Sequence, residues 1–232
     1  MNFFFYVIIF FLISCSKNES NYFPLEKIKS WHYKIEIIPE VEDYIIYKKT
    51  NLSLGKKKII VNETEMPFYP ILREDGTILY YQVLKSGVFR NGIQFIKDQK
   101  INFEEKKRLV IPYPLEIGKK WDVESKTFLI LRRYPYYDYR ATTNFKLNYE
   151  VISKNERIKT PLGTFDDCLL IKGYGSTNFI GDSEIGAIQI NIISEEWYAK
   201  DVGLIKVIRT EKTDTELFGT TKMVQLLENF EK

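Results

Sequence analysis

The chain has 232 residues, 44% of them hydrophobic, which is enough to bury one substantial core, and nothing in it marks a flexible linker between independent domains. Its 34 Lys+Arg and 31 Asp+Glu leave a formal charge of +3 spread along the sequence. That spread argues against a nucleic-acid partner, because nucleic-acid binders concentrate their charge on one face.

Residues 2–14 read NFFFYVIIFFLIS, an uncharged run that ends on a small residue just before Cys15. Crossing a bilayer takes about 20 apolar residues, so this run is too short for a span and reads as a secretion signal. Leu12-Ile13-Ser14-Cys15 resembles the bacterial lipobox, although the usual basic residue before the apolar run is absent. The resemblance implies a signal peptide over 1–14, cleavage before Cys15, a diacylglyceryl group on its sulfur, a lipidated tether over 15–21 and a β domain over 22–232. Two or more acyl chains anchor a protein stably, so the mature chain is expected to stay on its membrane. Six residues after Cys15 extend at most about 20 Å, which holds the domain close to the bilayer. Ser16, where Asp would signal inner-membrane retention in enterobacterial envelopes, favours the outer membrane and a periplasm-facing domain by the same resemblance.

The phrase Pro-Leu-Glu-x-x-Lys-x-Trp occurs twice, at 24–31 and at 114–121. Pro cannot donate to a ladder and Trp supplies a large area to bury, so each copy is expected to open a strand. Gly118 can take a left-handed turn position in the second copy, whereas the first has Ile28 there. The echo suggests two β lobes, 22–111 and 112–232, with similar strand openers.

Trp31, Tyr33, Ile35 and Ile37 alternate with polar residues, a period of two that predicts a half-buried strand. Lys56-Lys57-Lys58 and Lys106-Lys107-Arg108 read as solvated loops or strand edges. Asp75-Gly76 predicts a hairpin with a type I′ turn, and Ser86-Gly87 and Asn91-Gly92 continue the meander. Residues 97–108 predict either one short helix or a charged loop. Further strands are expected near 121–130, 141–152, 168–172, 187–199, 204–210 and 221–227. Thr160-Pro161-Leu162-Gly163 suits a type I turn, and Gly203 the left-handed position of a three-residue hairpin loop. No stretch sustains helical periodicity, and 16 Tyr and 16 Phe among many Ile favour sheet.

The phrases Thr160-Pro161-Leu162-Gly163-Thr164-Phe165, Trp197-Tyr198-Ala199 through Val202-Gly203-Leu204-Ile205-Lys206, and Pro114-Leu115 through Gly118 to Trp121 resemble an uncharacterised superfamily of antiparallel β envelope proteins. The likeness covers about 112–210, and more loosely 22–232. It implies a curved antiparallel sheet or half-barrel, all-β, and brings no catalytic residues.

Chemistry-bearing residues are scarce. Lipidation of Cys15 leaves Cys168 without a partner, so no disulfide is expected, and Cys168 in FDDCLLIK reads as a buried small hydrophobe. The single histidine, His32, excludes His/Cys zinc sites and leaves nucleophilic triads little to draw on. No phosphate-binding or dinucleotide fingerprint is present. Asp166, Asp167, Glu195 and Glu196 could form a hydrolase pair, but adjacent strand residues point to opposite faces. The stretch LRRYPYYDYR at 131–140 concentrates residue types enriched at recognition hot spots, which makes Arg132, Arg133, Tyr136, Tyr137, Tyr139 and Arg140 the candidate partner surface.

The sequence therefore predicts a membrane-anchored, non-catalytic envelope lipoprotein, with no metal or cofactor, that binds an envelope protein or cell-wall partner. The alternative is a carrier that shelters a lipid or other apolar ligand in a curved-sheet cavity. A carboxylate-based hydrolase is the distant third reading.

Overall fold

A computed structural model describes residues 21–40, 43–127, 129–133, 137–181 and 186–231, with the backbone alone at 130–133 and 137–140. Fifteen strands follow one another: β1 (Lys29–Pro39), β2 (Ile45–Ser53), β3 (Lys57–Val61), β4 (Thr64–Arg73), β5 (Ile78–Leu84), β6 (Gly87–Gln94), β7 (Asn102–Pro112) and β8 (Lys120–Lys126) make the first eight. Then come β9 (Leu129–Arg133), β10 (Tyr137–Ala141), β11 (Asn144–Thr160), β12 (Gly163–Ile180), β13 (Ala187–Ala199), β14 (Gly203–Thr213) and β15 (Thr220–Glu231). The chain is all-β and antiparallel, as the alternation and aromatic content predict.

One sheet of 13 strands runs in the order β7-β6-β5-β4-β2-β1-β15-β14-β13-β12-β11-β8, with β3 on β4, while β9 and β10 pair separately. The first strand lies beside the last, Ser30 opposite Glu231 through Pro39 opposite Thr221, so a continuous ladder joins the two halves of the chain. The free edges, β7 and β8, approach each other and the sheet rolls into a nearly closed barrel. At this seam the Arg108 guanidinium donates to the Glu124 carbonyl at 2.5 Å. Arg209 of β14 reaches β8 from inside, donating to Lys126 O at 2.7 Å.

Two cores form, and along β12 they lie on opposite faces of the sheet. The larger holds Phe145, Leu147, Tyr149 and Val151 of β11 against Ile188, Ile190 and Ile192 of β13. The smaller gathers Trp31, Tyr33, Ile158, Cys168, Leu170, Trp197 and Ile205. Register shifts between Val151 and Ile158 explain how β11 serves both, because an extra residue turns the following side chains to the other face. On β12, Cys168 and Leu170 enter one core while Leu169 and Ile171 enter the other, which is why CLLI reads as an unbroken apolar run.

Both copies of the repeated phrase open a strand on a buried Trp, but Trp31 enters the smaller core and Trp121 the larger. Leu25 and Leu115 both enter the larger core. Gly118 takes φ +84° as its turn requires, and Ile28 stands exposed at the matching place.

Four local expectations differ from the structure. Residues 102–112 form strand β7 and not a helix or loop, because Phe103 meets Phe68 at 5.8 Å and Glu104 pairs with Arg90. The 75–76 hairpin forms, but Gly76 alone takes positive φ, the Arg73 and Thr77 backbones bond at 2.9 Å, and Asp75 Oδ1 caps Thr77 N at 2.9 Å. This is a three-residue loop with a glycine bulge; the paired positive φ values fall instead at Asn62 and Glu63, between β3 and β4. Asn91-Gly92 is a bulge inside β6, where a Cβ on Gly92 would lie 2.9 Å from Ile101. Strands β2 and β3 went unforeseen because their sequences, IIYKKTNLS and KKIIV, are largely solvent-facing. The basic blocks lie at edges, Lys57 and Lys58 on β3 and Lys106 and Lys107 on β7, all exposed.

Candidate functional site

The inner face of β1, β2 and β4–β7 encloses a cavity of about 250 Å³. Its lining follows from period-two alternation. On β4, Ile71 and then Arg73 face inward, and beside them on β5 come Leu79 and Tyr81. Arg90 of β6, Arg108 and Val110 of β7, and Lys49 and Asn51 of β2 complete that wall. Register then sets two rows across the sheet, Trp31–Asn51–Arg73 and Tyr81–Arg90–Arg108, each residue directly opposite the next.

The other wall is the segment Phe23-Pro24-Leu25 together with Tyr198, Gly203 and Leu204. Phe23 lies 5.3 Å from the Tyr81 ring and 6.5 Å from that of Tyr198. This wall is clamped. Trp31 Nε1 donates to Val202 O at 2.6 Å, Tyr33 OH to Leu204 O at 3.0 Å and Lys29 Nζ to Asp201 O at 3.0 Å. The turn returns the grip, Asp201 N donating to Asn21 O at 2.8 Å. Gly203, at φ +99°, lies so near Pro24 and the Trp31 indole that a Cβ would meet Pro24 Cδ at 3.4 Å.

Four cations and no carboxylate line the cavity. Arg90 alone is tightly answered, its Nε donating to Glu104 Oε1 at 3.1 Å and its Nη2 closer still. Arg73 reaches Asp75 only at 3.4 Å, Lys49 donates to the neutral Gln225 amide oxygen at 3.4 Å, and Arg108 meets a backbone carbonyl. Burial, and then the neighbouring Arg73, hold the Lys49 ammonium below its ordinary pKa. Burial raises the Tyr81 hydroxyl, against the opposing pull of Arg90, Arg108 and Arg73. Two polar atoms in the first row, Asn51 Oδ1 and Arg73 Nε, are buried without a hydrogen-bond partner.

The carboxylates suspected of hydrolysis are dispersed. Glu195 pairs with Lys172 at 2.7 Å, Asp166 with Arg157 at 3.2 Å and Asp167 with Lys200 at 3.5 Å. Glu196, on the opposite face from Glu195, accepts the hydroxyls of Tyr149 and Tyr198. Burial first, then Glu196, pushes both phenols well above their ordinary value. The Cys168 thiol is fully buried, and burial followed by Asp166 and Asp167 raises its pKa to about 11. His32 bonds Ser30 at 3.2 Å and Thr50 at 3.1 Å. Among the described residues, no three His, Cys, Asp or Glu side chains gather as a metal site would need.

Cys15 lies outside the described residues, as does Tyr136. Arg132 and Arg133 fall in β9 and Tyr137, Tyr139 and Arg140 in β10, with Tyr137 opposite Arg133 and Asp138 opposite Arg132. Sequence reasoning missed Lys49, Asn51, Arg73 and Arg90. A signal existed: in FYPILR, period two sets Arg73 on the face of Tyr69 and Ile71, a cation ending an inward series.

No protein-family model matches the chain, and no curated protein matches it. A crystal structure described as a "putative lipoprotein" from Parabacteroides distasonis is similar over 91% of this chain and 99% of its own, at 15% identity and a TM-score of 0.47. At that distance the function of this chain rests on its own residues.

Proposed function

We propose that this chain is a lipid-anchored protein of the bacterial cell envelope that acts by binding and not by catalysis, and that the cavity inside β1, β2 and β4–β7 is its binding site. The lipobox-like Leu12-Ile13-Ser14-Cys15 supports the anchor, and Ser16 supports placement on the outer membrane facing the periplasm. One observation carries the choice of site: Asn51 Oδ1 and Arg73 Nε are buried at the cavity without partners. Buried polar groups are nearly always satisfied, and an orphan costs about 1–3 kcal/mol, so a ligand that accepts from Arg73 Nε would recover that cost. Against catalysis stand the dispersal of the carboxylates and the insulated thiol.

Volume sets the class of occupant. At about 250 Å³ the cavity sits just under the range of small-molecule pockets, roughly 300–1,000 Å³. That size favours, within the carrier reading, a small molecule or one end of a larger one. A second reading keeps the hairpin of β9 and β10, which pairs apart from the main sheet, as a protein-contact surface built on Arg132, Arg133, Tyr136, Tyr137, Tyr139 and Arg140.

Native mass spectrometry of the mature protein, extracted gently from its own membrane, tests the primary reading. The expected result is a co-purified small mass that disappears when Leu204→Trp fills the cavity. A bare protein mass, or an adduct indifferent to that substitution, would overturn it.

A further inference from the structure

We infer that the cavity takes an anionic amphiphile, its carboxylate or phosphate head held by Lys49, Arg73 and Arg90 and its short apolar part lodged against Leu79, Tyr81 and Leu204. This rests on the cavity being the binding site and names the chemistry of what enters it.

Of the four cations in the lining Arg90 has a close carboxylate in Glu104 and Arg73 a longer contact with Asp75 at 3.4 Å, Lys49 and Arg108 meet neutral oxygens, and Arg90 and Arg108 stand directly opposite each other on adjacent strands. Like charges set opposite in a sheet are destabilising, and a desolvated cation without a counter-ion is more so. The lining therefore carries an excess of positive charge. A neutral ligand would leave the repulsion in place and a cationic one would add to it. An anion relieves it, and the arginine fork suits a carboxylate or phosphate because it can donate two parallel hydrogen bonds.

An aromatic surface joins the two walls. Phe23, Tyr81 and Tyr198 form a contiguous aromatic floor, so a bare inorganic ion would satisfy the cations and leave that surface unused. A cavity of about 250 Å³ suits a head and a short chain, and a longer chain would have to leave by the mouth. The tether supports a membrane source for such a molecule: Phe23 of the cavity wall lies eight residues after Cys15, a reach of at most about 28 Å.

Titration calorimetry on the full mature protein in phosphatidylcholine nanodiscs tests this with four probes of one chain length: octanoate, octyl phosphate, octanol and octylamine. Octanoate, octyl phosphate or both should bind saturably and at least about tenfold more tightly than octanol and octylamine. Preference between the two anions separates a fatty-acid source from a phosphate head. Lys49→Gln and Arg73→Gln should each weaken the anion about tenfold, Arg73→Lys should restore part of the loss, and Lys57→Gln on the exposed edge should change nothing. Octanol binding as tightly as the anions, with Leu204→Trp abolishing both, would overturn the anion assignment while leaving the cavity as a binding site. Failure of all four probes to bind, or binding indifferent to Leu204→Trp, would overturn the cavity reading and this inference together.

Discussion

Trp31 and Trp121 occupy matching places in the repeated phrase, yet replacing each by Phe should have different consequences. Both are buried, at 5% and 9% exposure, so the loss of ring volume is similar and costs about 1 kcal/mol in each case. The polar tip separates them. Trp31 Nε1 donates to Val202 O at 2.6 Å and clamps the turn that walls the cavity, whereas Trp121 Nε1 is buried with no partner beneath the Tyr149 ring, 5.5 Å away. Removing the first N–H orphans a carbonyl at about 1–3 kcal/mol, and removing the second deletes an orphan of similar cost. Trp31→Phe should therefore destabilise by about 2–4 kcal/mol and Trp121→Phe by less than about 1 kcal/mol. For a chain of this size 1 kcal/mol shifts the melting temperature by about 2–4 °C, so calorimetry should separate the variants by roughly 5–10 °C. Equal losses, or a larger loss at Trp121, would refute the assignment of the clamp to Trp31.

Three further outcomes follow from the same geometry. Lys49→Gln should stabilise the empty protein at neutral pH. The native ammonium has a lowered pKa, so the unfolded chain binds its proton more tightly, and the stability of wild type relative to the variant should rise as pH climbs toward the ordinary lysine value and level off above it; urea titrations of both across pH 7–11 should show that difference, because the raised tyrosine hydroxyls act on both alike. Gly175→Val should cost at least about 1–3 kcal/mol by overpacking, because a Cβ there would lie 2.5 Å from the Phe145 ring, and a melt unchanged from wild type would contradict that contact. Cys15→Ser should abolish incorporation of labelled palmitate and leave an unprocessed precursor, whereas retained label would remove the anchor from the account.

How much of this was legible beforehand depended on whether the cause was local. Alternation at Trp31, Tyr33 and Ile35, the Thr160–Gly163 turn and the hairpin before Gly203 are properties of short stretches, and all three formed, although the loop of that hairpin is Lys200-Asp201-Val202 with Asp201 at φ +60° and Gly203 opens β14. Strand β7 is not legible in the sequence because NFEEKKRLV is neutral in its own preference, and contacts with Phe68 of β4 and Arg90 of β6 decide it. The turn at Asp75-Gly76 was misassigned for a related reason: two-residue and three-residue loops share that dipeptide, and the Arg73–Thr77 register chooses between them. The cavity was the least legible feature. Lys49, Asn51, Arg73, Arg90 and Arg108 come from four strands, and their convergence depends on how the sheet rolls, which no window of sequence records. The Tyr/Arg stretch at 131–140 drew attention because its residues are neighbours in sequence, a cue that favours compact motifs over sites assembled across a sheet.

Amide chemical-shift mapping of the full mature protein in nanodiscs, with octanoate added to saturation, tests the central claim most directly. The account predicts the largest shifts at Asn51, Arg73, Leu79 and Leu204, which come from separate strands and meet only around the cavity. Shifts confined to residues 129–141, with those four amides unmoved, would place binding on the hairpin and contradict it.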